Sequence, residues 1–453
     1  MGFTRRSILA ALAATAIATL AAASPAIADE YPEPCRSFVT GTPVEHPRVV
    51  GEQLRGVPFN VLLPPGYARS SRRYPVVYLL NSALGDQDEY LSETDLIAFT
   101  GNLPRSKQAI VVLPFGGLFG FYSDWRDGSQ RWESFHTRRL IPHVDRRYRT
   151  IARRSQRAIA GFSMGGFGAM SYAARHPDLF AAAGSFSGTL DPVAPTVASF
   201  IPEFLDLVNS VCDRADDPAG IWGDLATDEI VWRDHDPTDL APNLRGTSIY
   251  AEVGDSDPCE PDELNENPLA GRLEEMSRVA ARNFQAALRR AQVPHEVQFR
   301  PCGTHVYRYV QQGLHAWWPR MARALGRSAS RSFSHRRADR VFSARGWSFR
   351  ADPRRALEFL HVRRASRRGL TLTGSGTQTV KTSAYFNRGE RISVSGTRRK
   401  RSVTADRRGR ISIKVDLGPA HRHQQYTAGA REAGQGLGDY FTTRRVRFER
   451  HAR

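Results

Sequence analysis

Residues 158–166 read Ala-Ile-Ala-Gly-Phe-Ser-Met-Gly-Gly, an apolar run that breaks into a Gly-x-Ser-x-Gly pentapeptide. This pattern places Ser163 on a sharp strand-to-helix turn, with glycines where the backbone folds too tightly for a side chain. Such a turn lifts the hydroxyl above the sheet and aims the next amide at the same point, so nucleophile and oxyanion donor come from one local conformation. A serine that merely caps a helix fits the same five letters. The context favours the catalytic reading: a strand pattern precedes, helical spacing follows over 167–175, and Gly303-Thr304-His305 offers a base downstream.

The N-terminus bears on location. Arg5 and Arg6 precede an apolar stretch, 8–23, that ends in Ala26-Ile27-Ala28, the plan of a cleavable signal peptide. Residues 4–9 also resemble a twin-arginine signal. Residues 1–28 are therefore expected to be removed, and the mature chain to be secreted or associated with the cell envelope. Four cysteines fit an oxidising compartment, and no Cys-x-x-Cys suggests zinc or redox chemistry. Three pairings are open. Cys259–Cys302 is favoured because both follow expected strands near the site, which leaves Cys35–Cys212.

Charge divides the chain. The whole nets +18, yet residues 321–453 carry 32 Lys and Arg against 9 Asp and Glu, so the rest is mildly acidic. The segment 327–340 is rich in Ser and Arg, lacks apolar periodicity and reads as a linker. At 453 residues two domains are natural. The expected division is a catalytic domain over 29–326, the linker, and a basic domain over 341–453.

In the first domain, apolar runs at 59–63, 76–80, 110–113, 158–162, 181–186, 249–253 and 297–299 read as strands. Helical patterns at 132–144, 167–175, 273–288 and 306–325 lie among them. This alternation predicts an α/β fold with a mostly parallel sheet covered on both faces. Ligands of such sheets bind beyond the carboxyl ends of the strands. Ser163, Asp255, Asp257 and His305 all follow strands, in the Ser…acid…His order of α/β-hydrolases. By this reasoning Asp257 is a candidate acid. In the second domain, 370–373, 377–385, 391–394 and 410–415 alternate apolar and polar residues between turns, which predicts a small antiparallel β-sandwich. No cofactor-binding or metal-binding pattern occurs, and none is expected to be needed.

Several segments now combine. Tyr78-Leu79-Leu80 with Gln87-Asp88, then Phe121-Tyr122-Ser123-Asp124-Trp125, the elbow, Asp236-Pro237-Thr238 and Gly303-Thr304-His305 together resemble the secreted esterase D and antigen 85 group, which includes mycolyltransferases. The resemblance covers roughly 50–325. It implies an α/β-hydrolase fold, a Ser–Glu–His triad and acyl transfer through an acyl-serine. Its acid is a helical Glu about thirty residues before the His, which nominates Glu274. It also nominates Trp125, Tyr307, Gln87 and Asp88 as substrate-contacting residues.

The chemistry implied is that His305 takes the proton of Ser163 and returns it to the leaving group, while Glu274 or Asp257 orients the imidazole. The amides of Met164 and Leu84 are the expected oxyanion donors. Two departures stand out. The loop 81–85 is one residue longer than the Asp-Gly-Leu-Arg of sugar-transferring members, with Gly85 in place of the Arg that contacts trehalose. Tyr307 also replaces a Trp. The expected activity is ester hydrolysis or acyl transfer on lipid-type or other acyl esters. Glycerol or a sugar is the alternative acceptor, and a non-catalytic envelope-binding protein is the alternative class. The basic second domain is expected to meet an anionic envelope or membrane surface rather than nucleic acid.

Overall fold

The computed structural model describes residues 42–328, 330, 332–397 and 401–450. The expected signal peptide and Cys35 lie outside the described residues. In the first half, eight strands form one sheet: β1 (Val49–Leu54), β2 (Val57–Leu62), β3 (Val76–Leu80), β4 (Ile110–Pro114), β5 (Arg157–Phe162), β6 (Ala182–Phe186), β7 (Ser248–Val253) and β8 (His295–Phe299). Their order is β1-β2-β4-β3-β5-β6-β7-β8. β3 to β8 run parallel, and β1 and β2 form an antiparallel edge.

Both faces are covered, which is why the central strands read as unbroken apolar runs. Val76, Tyr78 and Leu80 share one core with Phe167 and Met170 of α1 (Met164–Arg175). Between α1 and the later helices, α2 (Pro195–Cys212) adds to this face, and α3 (Ala270–Arg290) packs there through Ala280 and Phe284. Val77 and Leu79 point the other way, toward Leu314 and Trp317 of α4 (Tyr307–Ala324).

Two details differ from the sequence reading. The helical stretch after Trp132 contains a π-helical turn, His136–Leu140, before resuming at Ile141. α2 was not expected. Its buried stripe, Val197, Ile201, Leu205 and Val208, has helical spacing, but Pro202 lies inside it and masks the signal.

The second half is an all-β sandwich. β10 (Val341–Ala344), β11 (Trp347–Ala351), β14 (Thr377–Lys381) and β17 (Ser412–Asp416) form one antiparallel sheet. The other has six strands, in the order β16-β15-β18-β13-β12-β9. These are β9 (Phe333–Arg337), β12 (Leu360–Ser366), β13 (Gly369–Gly374), β15 (Arg391–Ser395), β16 (Arg401–Thr404) and β18 (Thr442–Arg450). Trp347, Phe349, Val380 and Ile413 from the first sheet meet Leu370, Leu372, Val394, Val446 and Phe448 from the second.

The segment expected as a linker is structured. β9 lies inside it and pairs with β12. Its last two residues and the one that follows bind the first half. Arg337 Nη2 pairs with Glu133 at 3.2 Å, the Ala338 amide donates to Asp234 Oδ1 at 2.8 Å, and Arg336 exchanges two hydrogen bonds with Asn243. Arg175 completes this buried cluster, contacting Glu133 and Asp234 at 3.1 and 2.8 Å. Arg and Ser content hid the strand, because its ordering comes from ion pairs rather than an apolar face.

Candidate active site

β5 ends at Phe162, and α1 begins at Met164. Between them Ser163 adopts φ 53° and ψ −120°, a sparsely populated conformation for a residue with a side chain. The flanking glycines make the turn possible. A Cβ on Gly161 would lie 2.3 Å from the Gly165 carbonyl, and one on Gly165 would lie 2.1 Å from the carbonyl oxygen of Leu80. The loop after β3 therefore packs directly on the first turn of α1. The Met164 amide opens that helix, where an N–H has no intrahelical acceptor.

His305 follows β8 in a short loop and is nearly buried. Its ring lies 4.5 Å, centre to centre, from that of Phe162, the neighbour of Ser163. Nδ1–H donates to Glu274 Oε2 at 2.7 Å. The opposite nitrogen, Nε2, is buried and has no hydrogen-bond partner among the described residues, Ser163 Oγ included.

Glu274 lies on α3 and is itself buried. Its second oxygen, Oε1, accepts from Ser187 Oγ at 2.7 Å and from the Gly254 amide. The Ser187 backbone is left-handed, φ 46°, and its carbonyl accepts from Ser277 Oγ of α3 at 2.9 Å. The carboxylate is thus gripped at both oxygens. Asp257 differs: it is exposed, and only its carbonyl is engaged, by the Gly303 amide. Asp255 pairs with Arg278 at 3.0 Å. Neither aspartate contacts His305.

A second carboxyl clamps the base loop. Glu263 Oε2 accepts from the Thr304 amide and hydroxyl at 3.0 and 2.8 Å, and Oε1 accepts from the Cys259 amide and Tyr309 hydroxyl. The Cys259–Cys302 disulfide joins the same two loops. The other expected pair includes Cys35, outside the described residues.

The loop 81–85 also leans on a buried acid. Glu89 accepts the Ser82 amide at 2.9 Å and the Ser82 hydroxyl at 3.2 Å. Burial pushes its carboxyl up to about 8. Tyr307 OH also lies 3.3 Å from Ser82 Oγ, so this tyrosine supports the loop from behind.

The structure changes several expected assignments. The Leu84 amide donates to the Leu118 carbonyl at 2.8 Å, so it does not point at the site. No acceptor for the adjacent Ala83 amide occurs among the described residues. Gln87 and Asp88 are buried behind the loop, bonded to each other at 2.8 Å, with Asn60 donating to Asp88 at 2.7 Å. Trp125 is a core residue whose indole N–H donates to Gly120 at 3.1 Å. All three are buried and held by these internal hydrogen bonds. Ser187, Glu89 and Glu263 were not anticipated, because nothing local marks a carboxyl or hydroxyl whose partners lie far along the chain.

The sequence profile of the Esterase family matches residues 54–327. The chain is similar to Esterase Rv1288 of Mycobacterium tuberculosis, 35% identical over 259 residues, which are 55% of this chain and 52% of the relative. It thus spans about half the length of that relative. It is also similar to diacylglycerol acyltransferase/mycolyltransferase Ag85B of Mycobacterium avium, 31% identical over 56% of this chain and 76% of the relative. Among solved structures, Mycobacterium tuberculosis MPT51 covers 63% of this chain and 100% of its own, with 22% identity and a TM-score of 0.49.

Proposed function

The chain belongs to the Esterase family, and from that premise we propose that it is a serine carboxylic-ester hydrolase or acyltransferase working through an acyl-serine. The observation that carries this reading is the buried Glu274–His305 pair at 2.7 Å, with Nε2 left unpartnered beside the elbow. In the proposed reaction His305 Nε2 takes the hydroxyl proton as Ser163 Oγ attacks the ester carbonyl. Glu274 holds the tautomer and stabilises the imidazolium. The amides of Met164 and Ala83 receive the oxyanion, each contributing about 3 kcal/mol to the transition state. The leaving alcohol departs with the proton from His305. Water or an acceptor alcohol then attacks the acyl-serine by the same steps in reverse.

Hydrolysis and transfer share these residues, and acceptor access separates them. The Ag85B relative, named a diacylglycerol acyltransferase/mycolyltransferase, favours including glycerol-type and sugar acceptors in the reading. A non-catalytic binding role is disfavoured by the intact Ser163, His305 and Glu274. Export is proposed as well: the Cys259–Cys302 disulfide suits an oxidising compartment, and no described helix is long and apolar enough to cross a membrane. The basic second half is proposed to hold the enzyme on an anionic envelope surface.

The test uses p-nitrophenyl acyl esters and a fluorophosphonate probe on the full chain. Ser163→Ala and His305→Ala should each lower hydrolysis by several orders of magnitude, since such residues act as a unit. Probe labelling that persists in Ser163→Ala overturns the assignment.

A further inference from the structure

The outer face of the six-stranded sheet carries a trough of about 730 Å³. Its floor is β13, where the half-buried Thr371 lines the trough while Leu370 beside it is buried in the sandwich. Its walls are arginines. In register, Arg363 of β12 and Arg445 of β18 flank Thr371 from opposite sides, and Arg447 flanks Gly369. A register shift in β12 after Arg363 breaks the alternation of faces, and Arg364 there has φ 52°. This bulge exposes Arg363 and Arg364 together, which a regular strand would not do. Arg368 closes one end.

No carboxylate among the described residues pairs with any of these five arginines, and Glu449 is the only acid in the lining. Elsewhere in the sandwich, basic side chains do find partners, as Arg355 does with Glu358 and Arg450 with Glu390. Arg363 and Arg445 stand two strand spacings apart, about 10 Å, and Arg445 and Arg447 about 7 Å apart along β18. Like charges this close repel across a Debye length of about 8–10 Å. A chain of negative groups lying on Thr371 would neutralise both walls at once.

We propose that this trough binds a linear phosphodiester polymer without bases, of the polyol-phosphate kind found in cell envelopes. The proposal rests on the reading that the basic half docks on an anionic surface, and it names the partner. A groove with facing walls suits an extended strand better than a flat bilayer, and no large apolar side chain is exposed in it to enter one. The exposed large hydrophobic residues among those described, Leu264, Val341 and Leu437, lie elsewhere. Single-stranded nucleic acid binds largely by stacking on aromatic rings. The one aromatic residue of the lining, Phe448, is buried in the sandwich core.

The test measures binding of the full chain to fluorescent poly(glycerol phosphate), with phosphatidylglycerol vesicles, oligothymidylate and neutral dextran as comparisons. R363Q/R445Q/R447Q should weaken polymer binding at least about tenfold and reduce the salt slope by about two. R354Q/R388Q, which removes two arginines outside the trough, should leave it unchanged, and near-UV circular dichroism with thermal denaturation of all variants reports an intact sandwich. Polymer binding that survives the triple substitution overturns the trough, even if the basic half still docks. Tighter binding to vesicles or oligothymidylate than to the polymer overturns the choice of partner. If the unaltered protein binds none of the anionic probes, the docking reading itself fails.

Discussion

Glu89 Oε2 accepts the Ser82 amide at 2.9 Å, which ties a fully buried carboxyl to the loop packed against the Ser163 turn. Burial holds that carboxyl up at about 8, against an ordinary value of 4.5. It is therefore neutral at pH 7 in the folded protein and ionised in the unfolded chain. The unfolded state loses its proton first, so stability falls as pH rises from about 4.5 to about 8 and levels off above. Glu89→Gln imitates the neutral form. Thermal denaturation between pH 5 and 8 should show a shallower decline in this variant, and its ester hydrolysis should keep its rate above pH 8, where an anion beneath the oxyanion loop slows the parent. Identical pH profiles in both assays would remove Glu89 from this role.

Glu274 is proposed as the orienting acid, and the contrast with Asp257 gives a direct comparison. Glu274→Gln keeps the size but presents an amide to His305, favouring the wrong tautomer, and kcat should fall by about 10³ to 10⁴. Asp257→Asn should change kcat by less than about threefold, because its side chain is exposed and contacts no catalytic group. Collapse of the Asp257 variant alone would reverse the assignment.

Gly85 bears on acceptor choice. A Cβ there would sit 1.5 Å from Glu89 Oε2, so no side chain fits while Glu89 holds Ser82. The arginine that the resemblance associates with trehalose has no room at this position. Acyl transfer to trehalose should therefore be slow and unsaturated beside hydrolysis or transfer to glycerol. Saturable transfer to trehalose at a comparable rate counts against this account.

Glu133 governs the acid side. Against the cost of its burial, Arg175 and then Arg337 hold its carboxyl well below the ordinary range. The stability it contributes is present above the unfolded carboxylate value and is lost as pH falls toward the lower folded one. Glu133→Gln should cost about 3 kcal/mol at neutral pH, because two buried guanidinium groups each lose one of their carboxylate partners. It should also flatten the acid limb of the stability curve. A variant as stable as the parent, with an unchanged acid limb, would mean that the cluster is energetically idle.

Much of the site was legible where the constraint is local. Gly161 and Gly165 are required by atoms within or beside their own turn, and the pattern that names Ser163 is written in five residues. His305 could be found because it follows the last strand of the sheet. Glu274 came through family resemblance, since a glutamate in an amphipathic helix looks solvated until Ser187 and Gly254 are known to face it. The proposed choice of Ala83 over Leu84 as oxyanion donor rests on one backbone hydrogen bond from Leu84 to Leu118, which no composition encodes. In the second half, β18 reads Thr-Thr-Arg-Arg-Val-Arg-Phe-Glu-Arg, and only Val446 and Phe448 face the core. Two apolar residues among four arginines do not announce a central strand.

The Ser/Arg-rich stretch ahead of the sandwich has a consequence for how such chains can be recombined. Charge composition changes near residue 321, but contacts between the halves do not follow it: β9 serves the second sheet while Arg336, Arg337 and Ala338 are anchored to the first half, and Gln424 still donates to the Thr227 carbonyl. A graft that borrows the basic half from Val341 onward would leave β9 behind and strip β12 of its edge partner. The transferable cassette is therefore not the one that charge delimits. It must begin ahead of β9, and it must meet a recipient that offers the equivalents of Glu133, Asp234 and Asn243.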